Sequence, residues 1–140
     1  MALPSHLTLH LATADRSLVN EQVDEVEIPG ADGYFGVLPG HAPLLALLGA
    51  GELWYRQGAE KHYLSLAFGF AEVGPDRVSI LAQIAEKPEE IDIARAEAAK
   101  KRAEERLSKP TMDMDFERAR ISVLKSLIRL QVATRARTRV

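Results

Sequence analysis

The 140-residue chain has no cysteine. Disulfides, zinc–thiolate sites and cysteine nucleophiles are thereby excluded. Aromatic residues are scarce at 6%, and only Phe116 stands beyond residue 85. A basic surface in that region therefore lacks the stacking platforms that single-stranded nucleic acid uses. No apolar run approaches the roughly 20 residues of a spanning helix. The richest stretch, Phe35 to Gly51, is interrupted by Pro39, His41 and Pro43. The GxSxG, HExxH and GxxxxGK-S/T motifs are all missing, so none of those enzyme classes is expected. The four histidines (His6, His10, His41, His62) show no ligand spacing, and no metal site is expected. The first residues form neither a basic leader with an apolar run nor an Arg/Ser-rich transit segment. The chain is expected to be cytosolic or bound peripherally.

The residues present fall into two halves. Hydrophobic residues make up 46% and charged residues 27%, the composition of a folded protein. Residues 1–85 hold four basic residues against ten acidic ones, and residues 86–140 hold fourteen against ten. From Arg118 onward there are seven basic residues and no acidic one. All nine glycines lie between Gly30 and Gly74. This shift predicts a boundary near Ala85–Pro88, with one domain over 1–86 and a second over 87–140.

The first domain reads as β. LTLHLAT alternates Leu7, Leu9 and Leu11 on one face. VDEVEI, ELWYRQ, KHYLSLAF and RVSILAQI are further short strands. Turn signals at Pro29-Gly30, Asp32-Gly33, Pro39-Gly40, Gln57-Gly58 and Gly74-Pro75-Asp76 separate them. An antiparallel sandwich or barrel follows. The second domain reads as two helices. One runs from Ile91 to Leu107 behind an acidic start, and its apolar face is mostly alanine (94, 96, 98, 99, 103). The other is capped by Asp113 and runs from about Met114, with Ile121, Leu124 and Ile128 as its stripe and Val123, Leu127 and Leu130 widening it. Their short connection implies an antiparallel hairpin. The fold class is therefore α+β. Buried alanines yield little transfer free energy, so either the hairpin docks weakly or its helices make a close alanine contact.

The run IPGADGYFGVLPGHAPLLALLGAG then resembles the ε subunit of bacterial F-type ATP synthases. Gly36, Leu38, Pro39, Gly40, His41, Ala42, Pro43 and Leu44 all fit that family's pattern. LAFGFAEVGPDRVSILAQIAEKPEEID is similar to a second family segment but departs at Ala67-Phe68-Gly69, where paired glycines are usual. The resemblance implies a non-catalytic rotor subunit on the cytoplasmic face of the bacterial plasma membrane, serving ATP synthesis and proton transport. Its partners would be the γ subunit, the c-ring and the catalytic α/β subunits, with no nucleic acid and no membrane insertion. The sandwich would join γ to the ring, with Gly33, Tyr34, Phe35 and His41 in the ring contact. Tyr34 stands where an acidic residue is common. The hairpin would extend into the catalytic head and inhibit hydrolysis, with Arg118, Arg120, Lys125 and Arg129 as cations for an acidic surface.

Some members of that family bind ATP through an (I/L)-D-x-x-R-A motif, which Ile91, Asp92, Arg95 and Ala96 match here. The resemblance adds Glu86, Arg102, Lys125 and Arg129 to this regulatory set. No cofactor is required; ATP would be a regulatory ligand. Lys125 departs from the arginine of ATP-binding members and loses the planar fork that grips phosphate. The plainer reading of Asp92 is a helix start.

Overall fold

The computed structural model describes residues 3–109 and 115–137. Internal contacts divide the chain into two compact units, Met1–Lys87 and Pro88–Val140.

Seven strands build the first unit: β1 (Leu7–Ala12), β2 (Ser17–Val23), β3 (Glu25–Gly30), β4 (Gly33–Val37), β5 (Leu44–Gln57), β6 (Glu60–Val73) and β7 (Arg77–Glu86). They form one hydrogen-bonded sheet in the order β2-β1-β7-β6-β5-β3-β4. Strands from both ends of that order share one core. Leu7, Leu9 and Leu11 of β1 and Val23 of β2 belong to the same buried cluster as Val26 and Ile28 of β3 and Val37 of β4. A sheet whose two ends meet has folded over on itself, which is the sandwich the sequence predicts. Gln57 at the end of β5 closes the fold by donating to Glu21 Oε2 at 2.9 Å and to the Gln22 carbonyl at 3.0 Å, both on β2.

The sheet differs from the expectation at several points. β1 and β7 run parallel, pairing Thr8–Ala12 with Arg77–Leu81, so the sandwich is not wholly antiparallel. The segment between the turn signals at Asp32-Gly33 and Pro39-Gly40, where no strand is expected, contains β4, and Ala31-Asp32 alone forms the β3–β4 turn. Pro29, read as a turn residue, is fully buried inside β3. It is tolerated there because β3 and β5 lose register between Glu27 and Gly30, where a missing N–H breaks no ladder.

β5 and β6 are 14 residues each, far longer than the strands expected from the sequence. Strands that serve both layers must turn a corner. Phe68 (φ 63°) and Gly69 (φ 116°) occupy the left-handed side of backbone space in β6, where the registers with β5 and β7 both pass from Ala67 to Gly69. The paired-glycine site of the resemblance is therefore a bend, and Phe68 holds a conformation that costs a side chain more than it costs glycine.

The second unit opens with one tight turn, Pro88–Glu90, followed by α1 (Ile93–Ser108) and α2 (Phe116–Arg137). Asp92 caps α1, its Oδ1 accepting the Arg95 N–H at 3.1 Å. Asp115 caps α2 in the same way through the Arg118 N–H at 3.0 Å. Asp113 and Met114, expected at that start, lie outside the described residues. α2 packs along α1 and also against the Pro88–Glu90 turn that precedes it, so the two helices are antiparallel.

The hairpin seam differs from the predicted stripe. The buried small residues are Ala96 and Ala103 on α1, and Ala119, Ser126 and Ala133 on α2. Both sets repeat every seven residues, two helical turns, so each lies on one line along its helix. Small side chains on facing lines allow the axes to approach, and the buried face of α2 adds Ile128 and Val132 to them rather than the whole Ile121–Leu124–Ile128 stripe. Of that stripe Ile128 is buried, whereas Leu124 and Leu127 are both 43% exposed. Ser126 bonds back to the Ser122 carbonyl at 2.9 Å, so its hydroxyl is buried with a partner.

Candidate functional site

The cationic positions of the hairpin sort by helical phase. At about 100° per residue, Arg95 and Arg102 fall about 20° apart around α1, and Lys125, Arg118 and Arg129 within about 40° around α2. Both groups are displaced from the small-residue seam toward lower phase angle. In an antiparallel pair these displacements point to the same flank. Four of the predicted ATP residues (Arg95, Arg102, Lys125, Arg129) thus line one side of the hairpin, with Arg118. Arg95 and Arg102 are exposed, and Lys125 and Arg129 are half-buried.

The remaining members of that set have other settings. Ile91 and Ala96 are buried. The Asp92 carboxylate is engaged as the α1 cap, and the plainer reading of it as a helix start holds. Glu86 ends β7 and belongs to the first unit.

Arg120 separates from the other three predicted inhibitory cations. It lies on the opposite flank, and its guanidinium donates to Glu117 Oε2 at 3.0 Å. That hydrogen bond, together with the Glu117 charge, raises its pKa above the ordinary arginine value. Its positive charge is therefore permanent but locally balanced. Arg118 and Lys125 share a concavity of about 430 Å³ with Asp115, Glu117, Ile121 and Ser122. On the other flank, Leu107, Arg120, Ile121, Val123, Leu124 and Leu127 line an apolar cleft of about 230 Å³.

The four residues expected at the ring contact are not equivalent. Gly33 opens β4 at φ 132°. Tyr34 is 55% exposed, yet its hydroxyl accepts the Glu52 N–H at 2.9 Å. Phe35 is partly buried and packs against the sandwich core. His41 lies in the link after β4, where its Nδ1 is 2.6 Å from the Ala42 carbonyl and so carries the proton of that bond. Next to it the Gly40 N–H donates to the Pro75 carbonyl at 2.7 Å, tying the link to the β6–β7 turn.

Sequence reasoning missed an exposed apolar row on the sheet. Leu47 of β5 pairs with Phe70 of β6, which pairs with Leu81 of β7. Their exposures are 72%, 45% and 44%, with Leu45 beside them at 72%. Large side chains contiguous across three strands form the kind of patch that marks an interaction face. The signal was present as Leu45 and Leu47 at alternate positions, but that stretch was weighed only as an apolar run too short and interrupted to span a membrane.

Both units match families of known proteins. Residues 6–88 match the ATP synthase delta/epsilon chain β-sandwich domain, and residues 89–134 the long α-helix domain of the same chain. The chain belongs to the delta/epsilon chain family of ATP synthase. An ATP synthase epsilon chain from Solibacter usitatus is 47% identical over 131 residues, covering 94% of this chain and 98% of the relative. The epsilon chain of Koribacter versatilis is 56% identical over 97 residues, covering 69% and 68%. Among solved structures, a chain of the Euglena gracilis mitochondrial ATP synthase, a structure of OSCP/F1/c-ring, is similar with a TM-score of 0.71 and 25% identity, over 99% of this chain and 83% of that one. A chain of the Tetrahymena thermophila central stalk/c-ring shares the fold, with a TM-score of 0.53 and 14% identity over 93% and 95%. Among the described residues no helix is long and apolar enough to cross a membrane, and no group of three or more His, Asp or Glu side chains could hold a metal ion.

Proposed function

We propose that this chain is a non-catalytic rotor subunit, peripheral on the cytoplasmic face of a bacterial plasma membrane, that couples the γ subunit to the c-ring and restrains ATP hydrolysis through its hairpin. The observation that carries the reading is the pairing of two units with opposite surfaces. The sandwich offers an uncharged apolar row at Leu45, Leu47, Phe70 and Leu81, suited to permanent burial against a stalk subunit. The hairpin offers a cationic flank, suited to a contact that forms and breaks. The β3–β4 tip and the link carrying His41 serve as the ring-facing end. Arg118, Lys125 and Arg129 carry the inhibitory contact with the catalytic subunits from one flank, and Arg120 takes part from the other, where it also pairs with Glu117.

The same flank is the reading for a regulatory ATP. Cations from two antiparallel helices suit a triphosphate, and ATP held there stabilises the folded hairpin in proportion to its occupancy. Two measurements test the proposal. Assembled enzyme carrying the chain truncated after Lys87 is expected to hydrolyse ATP several-fold faster than enzyme with the full chain. Equal rates would remove the inhibitory role. Isothermal titration of ATP into the full chain should give binding that Arg95→Ala abolishes; no heat at millimolar ATP would remove the nucleotide site and leave the inhibitory contact as the flank's role.

A further inference from the structure

The ladder between β3 and β5 is in register from Glu25 to Glu27 and resumes only at Gly30, opposite Leu48. In the gap, Ile28 and Pro29 face five residues of β5, Gly49 to Leu53. Glu52 lies in that stretch, and its N–H donates to a side chain two strands away. Tyr34 sits on edge strand β4, paired with Pro29 of β3, and its phenol crosses β3 to accept that N–H at 2.9 Å. Gly51 clears the path. A Cβ there would overlap Tyr34 Oη and come within 2.6 Å of Pro29 Cβ. Tyrosine at 34, proline at 29 and glycine at 51 thus form one assembly that pins the outer hairpin to the bulge of β5.

We infer that Tyr34 is a positioning residue, a brace that fixes the pose of the β3–β4 tip, and that position 34 serves through reach and not through charge. The inference rests on the proposed reading of this tip as ring-facing. A phenol oxygen that accepts the Glu52 N–H keeps its own proton to donate. Position 34 therefore presents a neutral donor where the resemblance expects a carboxylate. The only acid between Gly30 and Gly36 is then Asp32, exposed in the turn itself.

Amide hydrogen exchange on the full chain tests the brace. Tyr34→Phe keeps the ring but deletes the hydroxyl, both the acceptor of the Glu52 N–H and the phenol's own donor proton, and the Glu52 amide and the amides of residues 31–34 are expected to exchange about fivefold faster or more, with those of Leu9 and Val78 unchanged. Unchanged protection at Glu52 overturns the brace, and so does an equal rise throughout the sandwich. The second arm measures proton pumping per ATP hydrolysed in inverted membranes carrying Tyr34→Phe or Tyr34→Glu. Glutamate restores the charge but is too short to reach Glu52. A lower ratio in both variants supports positioning. A ratio restored or raised only by Tyr34→Glu overturns it in favour of charge. Faster Glu52 exchange with pumping unchanged in both variants supports the brace and overturns the ring-facing reading.

Discussion

Gly69→Ala is expected to be among the most damaging single-methyl changes in the sandwich. Gly69 has φ 116°, a region that L side chains rarely adopt. A Cβ there would overlap the Leu81 carbonyl oxygen and lie 2.9 Å from Ala82 Cα, both backbone atoms of the adjacent strand. β6 is held between β5 and β7 on either side, so neither neighbour can withdraw without losing ladder bonds. Backbone strain of about 1–3 kcal/mol and overpacking of about 1–3 kcal/mol sum to about 2–6 kcal/mol. Whole-domain stability is only about 5–15 kcal/mol, so a large share of it is at stake. Gly33→Ala is the matched control. Its φ is 132°, but nothing lies within 4 Å of the added methyl, so only the strain remains. Urea unfolding followed by Trp54, the single tryptophan, reads both. With a slope of about 1.5 kcal/mol/M, Gly69→Ala should unfold at least about 1 M earlier than the parent, and earlier than Gly33→Ala. A midpoint equal to that of Gly33→Ala would show that the strand yields at the bend and that the rigid-corner reasoning is wrong.

Two further changes probe the hairpin. Asp92→Ala should cost about 1 kcal/mol of hairpin stability, whereas Asp92→Asn keeps an N-cap oxygen and should cost a few tenths; helicity against temperature by circular dichroism separates the two, and equal losses would deny the cap. Ser126→Leu enlarges a side chain in the close seam and should destabilise by about 1–3 kcal/mol. Leu127→Ala, a truncation outside the seam, should cost much less because that residue is 43% exposed; the reverse order in urea would place the seam elsewhere on α2.

How much of this was legible in the sequence follows from which interactions are local. Alternation in LTLHLAT marks a strand because its period is fixed by the backbone, and Leu7, Leu9 and Leu11 are all buried. The two helices were legible from their charge and their lack of glycine. The parallel β1–β7 pair was not, because partner choice between distant segments leaves no local trace. Pro29 misled for a related reason: proline signals a turn unless a distant strand bulges to excuse its missing N–H, and that bulge belongs to β5. The α2 stripe held at Ile128 but not at Leu124 or Leu127, because hydrophobicity was weighed above size. Ile121, Leu124 and Ile128 offer more area, but a close antiparallel pair selects for small residues, and Ala119, Ser126 and Ala133 carry that signal in a seven-residue spacing. The site divided along the same line. The spacing of Arg95 to Arg102 and of Arg118 to Lys125 fixes a shared face on each helix, so the cationic flank follows from the sequence once the hairpin is antiparallel. The pairing of Arg120 with Glu117 is also local, three residues apart, and was open to the same arithmetic. Tyr34 was different. Its acceptor role depends on Glu52, 18 residues away, and on a glycine that leaves room beneath it. What reads in one dimension as a missing carboxylate is, in three, a phenol that accepts the Glu52 N–H across β3.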